Sequence, residues 1–186
     1  MSKKFITYNK PPFDRMKMVD LVDETEEMQW AILDYHNQDF VLNNIVDNTV
    51  FTCDDHKAFL EKYPSMKRRQ YIVYYNCRAI GKVSFTPLED GIYDDLGYYL
   101  FHKKDLHKKY GLLMVSFVYH YIFDILNARK IKCTILPKNI SSQRLSLSLG
   151  CKIVKEDNKL VYLECLREDY QKSISNIDEQ LNMIFG

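Results

Sequence analysis

Six of the ten residues from His102 to Gly111 are lysine or histidine, and the run ends where an apolar segment, residues 112–126, begins. A cationic loop that turns into a helix at a glycine suits a phosphate group. With no Cβ in the way the backbone can approach the anion, and the first N–H groups of the helix meet it with the favourable end of the helix dipole. The N–H groups of Lys109, Tyr110, Gly111, Leu112 and Leu113 are the candidate cradle, and the side chains of Lys108 and Lys109 bring positive charge to it. Just upstream lies an aromatic strand, Gly97-Tyr98-Tyr99-Leu100-Phe101. Downstream, a strand over residues 131–136 leads to Asn139-Ile140-Ser141-Ser142, which opens a short helix stopping at Gly150. In that order the parts match a site for a long anionic cofactor.

The rest of the chain must position these residues. Its 186 residues are enough for one domain with a proper core, and 46% hydrophobic against 27% charged residues, with 6 Gly and 5 Pro, is a globular composition. Lys+Arg 26 against Asp+Glu 25 leaves a formal charge of +1, which points to neither nucleic acid nor an anionic membrane as a general partner. The five cysteines, Cys53, Cys77, Cys133, Cys151 and Cys165, are widely spaced and contain no C-x-x-C pair. They read as reduced thiols, and no metal site is expected. Residues 1–5 lead into no apolar segment, and the 112–126 run is interrupted by Ser116, His120 and Asp124 and too short to span a bilayer, so the expected location is cytoplasmic.

Periodicity predicts a first strand over residues 16–21, a helix through Met28 to Tyr35 with Asp23 or Thr25 as cap, a weak helical turn over 40–46, and a helix after Thr52 stopped by Pro64. Strands follow over 70–75 and 80–85, and a third ends near Phe101. After the 112–126 helix and the 131–136 strand, two closing strands are expected over 151–155 and 159–165. Residues 168–186 read as a helical extension with Ile174, Ile177, Leu181 and Ile184 on one side. Lys67-Arg68-Arg69 has two readings, a contact to a phosphate of a ligand and a solvated charge run before a strand, with the second preferred. No repeat or linker divides the chain. The expected fold is α/β in the loose sense (α+β), one domain over 1–186, with a mixed, mostly antiparallel sheet flanked by helices and one parallel pair where the 112–126 helix crosses over.

Strand, basic loop ending in glycine, helix, strand, Asn-x-x-Ser and a glycine eight residues beyond that serine resemble the acetyl-CoA-binding half of the GNAT N-acetyltransferases. The likeness covers roughly residues 16–165 and is strongest over 95–151. The family's pyrophosphate loop carries Gln or Arg, two residues, Gly, one residue, then Gly or Ala. Here those places hold Leu106, Lys109 and Gly111, so only the last is met. Residues 32–37 and 54–60, the latter with His56, resemble segments of the aminosugar and ribosomal-protein acetyltransferase branches, with Tyr35 and His36 in place of the usual Trp and Arg. Segment lengths fit best the nucleotide-aminosugar N-acetyltransferases of the pseudaminic acid pathway.

The resemblance implies acetyl-CoA as cofactor and direct attack of a primary amine on its thioester, with no covalent acyl-enzyme. The acceptor it implies is the 4-amino group of a nucleotide-linked dideoxy sugar. Acetylation of a protein N-terminus or ribosomal protein, and a noncatalytic acyl-CoA-binding module, stay open beside it, as does a homodimer. By position, Phe101 falls where the strand offers free backbone groups to pantetheine and acetyl, Asn139 orients cofactor or substrate, and Ser142 caps the short helix. Asp95, before the Gly-Tyr strand, stands at the place of the general base, with a polar strand start as its structural alternative. Ser146 stands where many relatives carry the tyrosine that protonates the departing thiolate, and its hydroxyl is shorter and far less acidic. Asp95→Asn should lower turnover more at neutral than at high pH, since a base matters most while the amine is protonated; an unchanged pH–rate profile excludes Asp95.

Overall fold

The computed structural model describes residues 4–186. Eight strands form one sheet in the order β1-β2-β3-β4-β5-β6-β8-β7. They are β1 (Phe5–Thr7), β2 (Met16–Asp20), β3 (Arg69–Tyr75), β4 (Arg78–Pro87), β5 (Ile92–Leu100), β6 (Lys130–Ile135), β7 (Lys152–Glu156) and β8 (Val161–Leu166). Every neighbouring pair is antiparallel except β5 and β6. The helices are α1 (Glu26–His36), α2 (Asp39–Leu42), α3 (Cys53–Lys62), α4 (Tyr110–His120), α5 (Ile140–Ser148) and α6 (Arg167–Phe185). The expected mixed, mostly antiparallel fold is the observed one. The sequence reading had no strand at β1, whose three residues are too few to show an alternation, although they pair in register with residues 17–19 of β2.

Local chemistry sets the helix ends. The Thr25 hydroxyl accepts the Met28 N–H at 3.3 Å and starts α1. Thr52 and Asp55 form a reciprocal capping box at α3, which gives way to a short turn at Tyr63-Pro64. The apolar run that forms α4 continues past His120 as one wide, π-helical turn over Tyr121–Ile125. Its buried side chains, Leu113 to Phe117 among them, cover one face of the sheet together with α6. On the opposite face Leu21, Ile32, Tyr63, Ile72 and Phe101 form a smaller cluster under α1 and α3. Gly81 lets β4 pass beneath α4: a Cβ there would lie 2.5 Å from the Tyr99 carbonyl oxygen and 2.7 Å from the Met114 sulfur. Cys133, Cys151 and Cys165 are buried free thiols, as read from the sequence, and Cys53 and Cys77 are exposed. Among the described residues no helix is long and apolar enough to cross a membrane.

The tail helix α6 lies on the domain through Ile174, Ile177, Leu181 and Phe185, whereas Ile184, expected on that side, is 53% exposed. A polar clasp fastens it to α4. The His120 ring is 2.9 Å from Asp124 through Nδ1 and 3.0 Å from Asp178 of α6 through Nε2, and the Tyr170 hydroxyl also reaches Nδ1, at 2.8 Å. Burial works against a charged imidazole here, but the two aspartates outweigh it and raise its pKa. A raised histidine pKa contributes stability that is complete below the unfolded value near 6.5 and fades as pH rises through the folded value. His120→Gln should therefore cost roughly 1–2 kcal/mol at pH 5.5 and much less at pH 9, read from urea midpoints. A penalty that does not change with pH would refute the clasp.

Candidate active site

The site begins where the sheet comes apart. β5 and β6 pair at two registers, Ile92 with Lys130 and Tyr93 with Ile131, and then separate. Two features drive them apart. A register shift between Ser84 and Thr86 on β4 puts Asp95 in an extra position of β5, with φ at 57°. Bulges of this kind bend a strand and increase its twist. Beyond the bulge, the Phe101 N–H bonds to the Ile80 carbonyl at 3.0 Å. The alternation of an antiparallel ladder then turns the backbone groups of Gly97 and Tyr99 toward β4 as well, and those of Tyr98 and Leu100 toward the gap. This corrects one expectation. Phe101 offers nothing to a ligand: its carbonyl accepts from Gln38 Nε2 at 3.1 Å, its ring is fully buried, and that ring stacks on Tyr35 at 4.0 Å. The free strand edge belongs to Tyr98 and Leu100.

The basic loop closes one end of the gap. Asp105 is buried and accepts from Arg78 of β4 at 2.6 Å, which pins the loop to the sheet. Lys109, at the N-cap of α4, holds φ 66°, the left-handed conformation that explains why relatives place glycine there. No side chain caps α4, and its first internal bond runs from Leu113 N–H to the Lys109 carbonyl at 2.9 Å. The N–H groups of Lys109, Tyr110, Gly111 and Leu112 are left without helical partners, while that of Leu113 is engaged and leaves the expected set. A Cβ built on Gly111 would meet one neighbour, a Leu145 methyl at 3.8 Å, so the first turn is uncrowded at that position. The chemistry of the donor set fits a diphosphate. Lys108 and Lys109 are exposed beside it, and the Tyr110 ring packs instead against Tyr75 and Phe185.

The helix α5 closes the other side. Asn139 caps it, its Oδ1 accepting the Ser142 N–H at 3.1 Å, and its amide donates to the Asn44 carbonyl at 2.8 Å. The capping role expected of Ser142 is thus held by Asn139, and Ser142 sits in the first turn. Both line a cavity of about 520 Å³ that extends from the strand gap to α1 and α3. Ser146 is not among its lining residues: it is 2% exposed and sits deeper in the helix. Gly150, at φ 93°, turns the chain out of α5 where a Cβ would lie 2.6 Å from the Asp169 carbonyl oxygen.

Other residues of the cavity wall carry charge. Arg68, for which a solvated run is the preferred reading of the sequence, turns inward, donates to Ser84 Oγ at 2.8 Å and forms an ion pair with Asp95. That pairing occupies the carboxylate proposed as base, although Asp95 itself remains more than half exposed at the cavity wall. Lys82 donates to Gln70 Oε1 at 2.7 Å and makes no ion pair among the described residues. Burial, with the nearby Arg68 charge, pushes its pKa down to about 7. His36, also on the wall, has a lowered pKa, because burial outweighs its bond to the Thr49 carbonyl. His56 is buried and bonded to the Gln29 carbonyl at 2.7 Å. One signal was legible: Lys82 and Ser84 alternate with Val83 and Phe85, so one face of a covered strand is polar.

The geometry has counterparts among known proteins. The profile of the acetyltransferase (GNAT) domain family matches residues 24–152, well over half of the chain. No curated protein sequence matches it. Among solved structures, the Campylobacter jejuni N-acetyltransferase PseH superposes with a TM-score of 0.65 at 16% identity, covering 82% of this chain and 98% of that one, and a second PseH structure carries acetyl coenzyme A. The spermidine N-acetyltransferase of Vibrio cholerae, in complex with CoA and spermine, gives 0.71 at 12% identity, covering 85% and 99%. The aminoglycoside acetyltransferase AAC(6')-Ib with coenzyme A gives 0.67 at 18%, covering 81% and 95%. A split parallel pair, an open helix N-terminus beside it and the family profile lead to one assignment: the chain is a member of the GNAT acetyltransferases, acyltransferases whose donor is acetyl-CoA.

Proposed function

We propose that this acetyltransferase acts on the primary amine of a nucleotide-linked amino sugar, of the 4-amino-4,6-dideoxy type. The observation that carries the reading is the charge inside the cavity. Two cations, Arg68 and Lys82, lie on its inner wall, and Lys82 has no carboxylate partner among the described residues. A half-buried ammonium without a carboxylate partner favours a ligand that brings the missing negative charge. An acceptor with phosphates supplies it. Of the three carboxylates on the wall, Asp95 is paired with Arg68, and Asp47 and Asp55 are exposed, Asp55 being committed to capping α3. A cavity of about 520 Å³ has room for a sugar and part of its nucleotide.

The residues divide the work. The N–H groups of Lys109 through Leu112, with Lys108 and Lys109, hold the diphosphate of the donor. Acetyl-CoA, when bound, supplies an activated thioester carbonyl. The outward backbone groups of Tyr98 and Leu100 align that arm in the gap, and a backbone N–H there polarises the carbonyl. Asp95, aimed by the bulge, receives the proton of the amine directly or through water. Asn139 and Ser142 shape the wall opposite.

Release of free CoA from acetyl-CoA across a panel of amines tests the reading. A uridine-diphosphate 4-amino sugar should be preferred over spermidine, an aminoglycoside and an N-terminal peptide, and uridine diphosphate should compete with it. Lys82→Met should raise KM for the sugar nucleotide at least tenfold and leave acetyl-CoA affinity within about threefold. In the wild type the same KM should rise between pH 7 and 9, as Lys82, with its pKa near 7, loses its charge. Preference for a polycation or peptide, with Lys82→Met silent, would overturn the proposal.

A further inference from the structure

We propose that the Tyr98 hydroxyl donates to the donor's sulfur and protonates the thiolate as it leaves, a role that the chain has moved from α5 to the neighbouring strand. The inference rests on the acetyl-transfer reading above. Ser146 leaves the place of a tyrosine ring unfilled on α5, and its own hydroxyl does not open onto the cavity. The phenol of Tyr98 stands in that neighbourhood. Tyr98 is one of the residues that line the cavity, and its hydroxyl is buried beside the side chains of Ser142 and Ser146. The phenol oxygen is nonetheless one of four buried side-chain polar atoms with no hydrogen bond within 3.5 Å among the described residues. A buried hydroxyl without a partner has lost its bond to water, and a ligand atom that restores a bond recovers that loss.

Tyr99, whose hydroxyl is likewise unpartnered, belongs to the other side of the strand: it packs with the α1 and α3 cluster, and Lys82 sits 5.1 Å from its ring. Tyr98 packs with the layer of α4 and α5. It is therefore the phenol on the side of the gap where α5 borders the donor arm, and it belongs to the residue whose backbone edge faces that gap. Burial raises its pKa, so the group stays protonated at neutral pH and is available as a donor. The step balances: the amine nitrogen bonds to the acetyl carbon, the carbon–sulfur bond breaks with its electron pair on sulfur, and the phenol proton goes to sulfur. The proton lost by the attacking amine, received first by Asp95, returns through water or the Ser142 hydroxyl and restores the phenol, leaving Asp95 ionised again.

The test compares Tyr98→Phe with wild type by two measurements. The first is calorimetric affinity for CoA and for desulfo-CoA, which lacks the sulfur and needs no turnover. The wild type should bind CoA about tenfold more tightly than desulfo-CoA, and Tyr98→Phe should cut that ratio below threefold, with desulfo-CoA affinity unchanged. The second is steady-state kinetics, in which Tyr98→Phe should lower kcat at least tenfold with KM for the amine within threefold. An unaltered CoA to desulfo-CoA ratio in the variant overturns the inference, whatever happens to kcat, as does a kcat within threefold of wild type. If wild type binds neither compound, the acetyl-transfer reading itself fails, a result distinct from binding that ignores Tyr98.

Discussion

The separation of β5 from β6 after two paired registers is the constraint on which the site depends. A continuous ladder there would consume the backbone groups of Tyr98 and Leu100 and close the cavity. What keeps the strands apart is local: one extra residue in β5, and an antiparallel partner on its far side that is satisfied out to Phe101. The bulge works twice over, since the residue it inserts is Asp95, and the altered twist aims that carboxylate at the cavity instead of into the ladder. One backbone irregularity thus makes the opening and places a titratable group at its mouth.

Around that gap the two faces of the sheet have different tasks. The larger core, under α4 and α6, is the rigid side, and it holds the N-terminus of α4 beside the gap with the loop fixed by the Arg78–Asp105 ion pair. The smaller cluster under α1 and α3 leaves room at its edge, and there the polar face of β4 is exposed to a ligand instead of to packing. The N-terminus of α4 and the polar face of β4 are therefore built by different layers. The charges follow the same division: a cluster of N–H dipoles and lysines toward one face, an arginine and a part-buried lysine toward the other.

Much of this was legible in the residues. Helices announced themselves through the Thr25 and Thr52 caps, and strands through alternation, because those signals are local. What escaped depends on register and on long-range contact. Whether Phe101 or its neighbours carried the free edge turned on a bulge six residues away, which no periodicity reveals. Arg68 looked like part of a solvated run because its partners, Ser84 and Asp95, are distant in sequence. Asn139 and Ser142 are equally good caps by type, and only the backbone shows which one is outside the helix. The choice between Ile184 and Phe185 on the tail is one helical position, the usual margin of a pattern read at a fraying end.

The left-handed lysine of the loop has a consequence of its own. Lys109 holds φ 66°, at an intrinsic cost of roughly 1–2 kcal/mol for a residue with a Cβ. The packing that fixes the loop, the Arg78–Asp105 ion pair included, absorbs that cost. What a lysine brings there and a glycine would not is one more positive charge at the uncapped N-terminus of α4, so strain in the backbone is exchanged for electrostatic attraction toward an anion.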